Sequence, residues 1–112
     1  MFVELERRGD VCVLRVKGRI VAGVDSEYVR FKQDQIKIQS CGKVLVDFRD
    51  VPFMGSAGIN FVVSIFKNCG GRFVLACPRQ SVREVLEITD LSRVVPVSPD
   101  VASGLAALRQ IP

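Results

Sequence analysis

The residues most able to do chemistry cluster in one short stretch, Val44-Leu-Val-Asp-Phe-Arg-Asp-Val-Pro-Phe-Met-Gly-Ser-Ala-Gly58. Asp47 and Asp50 bring carboxylates, Arg49 a guanidinium and Ser56 a hydroxyl between Gly55 and Gly58. The chain contains no histidine. It therefore lacks the commonest general base near neutral pH and the commonest metal ligand, and a Ser or Cys nucleophile would lack its usual activator. The glycine spacing matches neither the phosphate-binding P-loop with its lysine nor GxGxxG, so a nucleotide-binding enzyme is the weaker expectation. The four cysteines, Cys12, Cys41, Cys69 and Cys77, fit no CxxC or zinc pattern, and the reading is that all four are reduced.

Ser56 has two readings. As a residue in front of an apolar helical pattern it can cap exposed backbone amides. Gly55 would then take a positive φ at the turn, and Gly58 would permit close helix packing. The same place also suits chemistry. A helix N-terminus favours negative charge through its amides and dipole, so a phosphoryl group on Ser56 is tolerable there. It would add between one and two negative charges at one surface point.

The elements that must position this stretch follow from periodicity. Phe2 to Glu6 and Val11 to Lys17 read as strands around an Arg8-Gly9-Asp10 turn, a hairpin. Gly18 to Val24 reads as a loop. A helix starting near Glu27, capped by Asp25 or Ser26, would place Tyr28, Phe31, Gln35 and Ile38 on one face until Ser40-Cys41-Gly42 ends it. Lys43 to Phe48 is an unbroken apolar run expected as a central strand, broken by Arg49, Asp50 and Pro52. Asp47 then lies near its carboxyl end, where open α/β sheets carry functional groups.

Ile59, Val62, Val63 and Phe66 recur at helical spacing, with Gly70 and Gly71 as the stop. Arg72 to Cys77 reads as a second buried strand. Val82, Val85 and Leu86 mark a helix. Val94 to Val97 reads as a short strand whose Pro96 argues for an edge. A last helix carries Val101, Leu105 and Leu108, with Ser98 as its cap and Pro99 and Asp100 in its first turn. The expected order is β-β-α-β-α-β-α-β-α: a single α/β domain over residues 1–112, with about four helices on a mixed sheet, antiparallel in the hairpin and parallel after it.

The bulk numbers agree with one domain: 112 residues, 48% hydrophobic and 25% charged. The net charge of +4 comes without a basic stripe, so direct nucleic-acid binding is not expected. Met1 to Asp10 has no signal-peptide core, and no apolar stretch is long enough to span a bilayer. The default expectation is a cytoplasmic chain without membrane insertion.

VLVDFRDVPFMGSAGI resembles the STAS family, the domain of anti-sigma factor antagonists and of sulfate-transporter tails. Its pattern is an apolar strand ending in Asp, a turn, an apolar pair, then Asp-Ser-(Ser, Thr or Ala)-Gly and an aliphatic residue. Asp47, Phe53, Met54, Ser56, Ala57, Gly58 and Ile59 match it in type and order. RFVLACPRQSVREVLEITDLSRVVPV resembles the family's following strand, helix and final short strand. The chain departs in carrying Gly55 where the motif has Asp, and its Gly18 to Asp25 segment lacks the family's Leu-Asp element.

The resemblance implies a bacterial regulator of transcription, not an enzyme. Unphosphorylated, it would bind an anti-sigma factor that is also a serine kinase and so free a sigma factor. Phosphorylation of Ser56 would switch that binding off, and a phosphatase would restore it. The ATP would belong to the partner, so no cofactor is implied for this chain. The contacts expected by position are Asp47, Arg49, Asp50, Pro52, Gly55, Ser56, Ala57, Gly58 and Asn60. The alternative is a STAS scaffold, not phosphorylated, within a stress-sensing complex or a transporter.

Overall fold

The computed structural model describes residues 2–18, 34 and 42–111. Strands β1 (Phe2–Arg8) and β2 (Val11–Lys17) form the hairpin, in register from Phe2↔Lys17 to Arg8↔Val11. Gly9 at its tip has φ +63, the left-handed conformation that tight hairpin turns require. Then come β3 (Lys43–Asp50), α1 (Ser56–Asn68), β4 (Phe73–Ala76), α2 (Gln80–Ile88), a 3-10 turn (Leu91–Arg93), β5 (Val97–Ser98) and α3 (Val101–Arg109). The five strands lie in sequence order, with β2 to β5 parallel to one another. The fold is the mixed α/β sheet that the alternating periodicities predict. The expected helix near Glu27 lies outside the described residues except for Asp34, which is helical and exposed.

Successive residues of β3 point to opposite faces, and both faces are covered, so Val44, Leu45, Val46 and Phe48 are all fully buried. On one face, Leu14, Val16, Val44, Val46, Phe48 and Leu75 meet Phe61, Val62 and Ile65 of α1 and Val82 and Leu86 of α2. On the other, Val11, Val13, Leu45, Val74 and Ala76 meet Leu105 and Leu108 of α3. Close approach of α3 depends on Gly104. A Cβ there would stand 2.7 Å from Leu45 Cδ1 and 2.9 Å from Ser98 Oγ.

Several local expectations are corrected. Arg49 and Asp50 do not break β3: past a register irregularity after Arg15, Lys17 pairs with Asp50, and the Gly18 amide donates to Asp50 O at 3.0 Å. The last strand is only Val97–Ser98, because Pro96 has no amide to extend the ladder, although its carbonyl accepts from the Leu75 amide. The cap of α3 is Asp100 rather than Ser98. The Asp100 carboxylate accepts from the Ser103 amide at 2.7 Å, while the buried Ser98 hydroxyl donates to Asp100 O at 2.8 Å.

The buried stripe of α1 is Gly58, Phe61, Val62 and Ile65, whereas Ile59, Val63 and Phe66 are half-buried. This helix is apolar on so many sides that periodicity alone does not fix its rotation. Cys69 and Cys77 are free, as expected, but Cys12 is disulfide-bonded. Pairing follows from which side chains the fold brings together, which spacing along the chain does not reveal.

Candidate functional site

The site begins where β3 ends. Asp47 is 5% exposed, and its Oδ1 accepts a hydrogen bond from the Arg49 amide at 3.0 Å. A buried carboxylate needs such partners, and this one locks the last residues of the strand to their own backbone. Arg49 is exposed. The neighbouring Cys77 side chain and Asp47 carboxylate hold its guanidinium pKa above the ordinary arginine value.

The chain then turns, with the Val51 amide donating to Phe48 O at 3.0 Å. Val51 and Met54 go into the core, while Pro52 and Phe53 stay outside. The segment at the start of α2 clasps this turn from the side: Arg79 Nε donates to Arg49 O at 2.8 Å, and Ser81 Oγ donates to Pro52 O at 2.6 Å. One carbonyl at the end of β3 and one in the exposed turn after it are thereby paired, which restrains the backbone leading to Ser56.

The start of α1 differs from the capping expectation. Gly55, not Ser56, is the N-cap, with φ −106 and ψ −158 in the extended region. No positive φ is needed there, because the turn is completed before residue 55. No side chain caps the helix, and its first turn contains no acidic residue. Ser56 is the first helical residue, exposed, and at the end where the dipole favours added negative charge.

Asn60, four residues on, is also exposed and shares that face. Gly58 is buried against the preceding turn: a Cβ on it would overlap Met54 Cγ and lie 2.9 Å from Met54 Sδ. The small residue lets α1 descend directly onto Met54, and this sets the angle at which Ser56 leaves the surface.

The residues expected by position thus separate by depth. Arg49, Pro52, Ser56 and Asn60 are exposed; Asp50, Gly55 and Ala57 are half-buried; Asp47 and Gly58 are buried. Sequence reasoning missed Phe53, 53% exposed beside the turn, because an aromatic next to a methionine reads as core. It also missed Arg79 and Ser81, whose signal was only that of a polar helix start. Their bonds to residues about thirty positions earlier are tertiary. Among the described residues no group of three His, Cys, Asp or Glu is placed to hold a metal ion, and no helix is long and apolar enough to cross a membrane.

A family model described as STAS domain matches residues 2–104. A Thermotoga neapolitana protein whose name relates it to anti-sigma factor antagonists is 31% identical over 75 residues, covering 64% of this chain and 66% of that protein. The chain thus spans about two thirds of that relative's length. Among solved structures, an anti-sigma factor antagonist from Mycobacterium paratuberculosis superimposes with a TM-score of 0.86 at 22% identity, covering 97% of this chain and 94% of that one. The anti-sigma factor antagonist SpoIIAA in its unphosphorylated form gives 0.81 at 19% identity, covering 99% of both chains. The phosphorylated form of the Bacillus SpoIIAA gives 0.69 at 22% identity, covering 96% and 98%. At these identities the structural likeness is one of fold.

Proposed function

The chain belongs to the STAS domain family, and from that premise we propose that it is an anti-sigma factor antagonist switched by phosphorylation of Ser56. Unmodified, it docks on an anti-sigma factor that is also a serine kinase, and a sigma factor is released. The kinase, with ATP in its own site, phosphorylates Ser56 and ends the complex; a phosphatase reverses the step. The chain acts by binding, without turnover of its own, and works in the bacterial cytoplasm alongside the transcription machinery.

The observation that carries this reading is the exposure of Ser56 at the first residue of α1, where no side chain competes for the helix end. The docking surface includes Arg49, Pro52, Ser56 and Asn60, with Asp50, Gly55 and Ala57 at half depth, while buried Asp47 and Gly58 shape it from below. A phosphate in the middle of such a surface must be desolvated against the partner. A loss of roughly 3 kcal/mol weakens a complex about a hundredfold.

Gly55 favours a second reading, the unphosphorylated scaffold, because it removes the carboxylate that the family motif places beside the serine. Incubation with the cognate kinase and ATP, followed by mass measurement, separates the two. One phosphate on the wild-type chain and none on Ser56→Ala supports the switch; an unmodified wild type supports the scaffold.

A further inference from the structure

A concave site lies on the α3 side of the sheet and shares Asp47 and Arg49 with the docking surface proposed above. Between the hairpin and the start of α3 there is a cleft of ≈ 410 Å³, within the size range of small-molecule pockets. Val13 and Leu105, both buried in the α3-side core, give it apolar lining, and Val101 and Ala102, the first two residues of α3, form a wall. Its polar lining brings together three guanidinium groups, Arg8, Arg15 and Arg49, and two carboxylates, Glu6 and Asp47.

The cations are not equivalent. Arg8 is paired with Glu6 at 3.4 Å. Arg49 is exposed to solvent, and its own backbone amide occupies Asp47 Oδ1. Arg15 is half-buried and sits in register between Glu4 of β1 and Asp47 of β3, yet its side chain makes no ion pair or hydrogen bond among the described residues. A half-buried guanidinium in a cleft, with its planar fork of donors unspent, matches an oxyanion in geometry as well as charge. The amides of Val101 and Ala102 precede the first intrahelical hydrogen bond of α3, and the Asp100 cap takes the Ser103 amide rather than theirs.

We propose that this cleft binds a small organic anion with an apolar body, its single carboxylate or phosphate held by Arg15 at the α3 end and its body against Val13 and Leu105. Glu6, Asp47 and Asp100 set the limit on charge, since a ligand carrying more than one anionic group would face their repulsion. The proposal needs no partner protein and does not rest on phosphorylation of Ser56.

The test is titration of the isotope-labelled chain with benzoate and, separately, with phenyl phosphate, followed by amide chemical shifts. Expected are saturable shifts at Val13, Arg15, Val101 and Ala102 with a dissociation constant of about 1 mM or tighter for at least one probe. The responding probe identifies the anionic group. Arg15→Gln should weaken that binding at least about tenfold. Ala102→Glu, which alters an exposed side chain, should abolish it while leaving shifts elsewhere unchanged. Linear shifts with both probes, shifts centred on Arg79 and Arg83, or undiminished binding by both variants would overturn the assignment.

Discussion

Gly55 is where this chain departs from its family's motif, and its geometry says what the departure costs. The backbone there is extended, and a Cβ would meet only Phe53 Cε1, at 3.7 Å, an ordinary contact. Nothing steric demands glycine. Gly55→Asp should therefore fold normally and gain a few tenths of a kcal/mol from a carboxylate at the N-cap. It would also restore the carboxylate beside Ser56. Urea denaturation checks the first point, and a clear loss of stability would show that the cap geometry is misjudged.

Asp100 is the contrasting cap. Hydrogen bonds from the Ser103 backbone and side chain hold its pKa below the ordinary carboxylate value of 3.8. A carboxyl with a depressed folded-state pKa stabilises above its unfolded value, and that contribution is lost as pH falls through the folded one. Asp100→Asn should accordingly lower stability slightly at neutral pH, change little at the acid end, and so flatten the acid limb of the stability-pH profile below about pH 4.

Among elements, α1 and the turn before it decide how Ser56 is presented. Gly58→Ala forces a methyl into Met54 Cγ, and overpacking of this kind costs about 1–3 kcal/mol. A denaturation midpoint unchanged by Gly58→Ala would contradict the close approach. Ser81→Ala removes the 2.6 Å hydrogen bond to Pro52 O and should cost about 1 kcal/mol, with faster amide exchange along residues 51–55. The hairpin, the central strand and the helix after Ser56 were legible in the sequence because each carries strong local signals: a Gly-Asp turn, an unbroken apolar run, a glycine pair as stop. The end of β3, the rotation of α1 and the shift of the last cap from Ser98 to Asp100 were not. Pairing of Asp50 with Lys17, packing on Met54 and the Ser98–Asp100 bond are contacts whose partners periodicity does not see. That Ser56 stands where a helix begins was legible from the apolar pattern after it, but its place inside the helix rather than before it was not.

For the molecule as a whole, the sheet separates two surfaces. One carries α1 and the exposed hydroxyl of Ser56; the other carries α3 and the arginine-lined cleft. β3 runs between them, buried from Lys43 to Phe48, and ends in the turn that α2 clasps. On the proposed reading, such a frame would let a charge appear at Ser56 without loosening the core, so that modification would act on binding and not on folding. The most direct measurement is calorimetric titration of the cognate anti-sigma factor with the unmodified chain and with the chain phosphorylated on Ser56. The account predicts tight binding by the first and binding weakened about a hundredfold or more by the second, with unchanged thermal unfolding. Equal affinities for the two forms would contradict it.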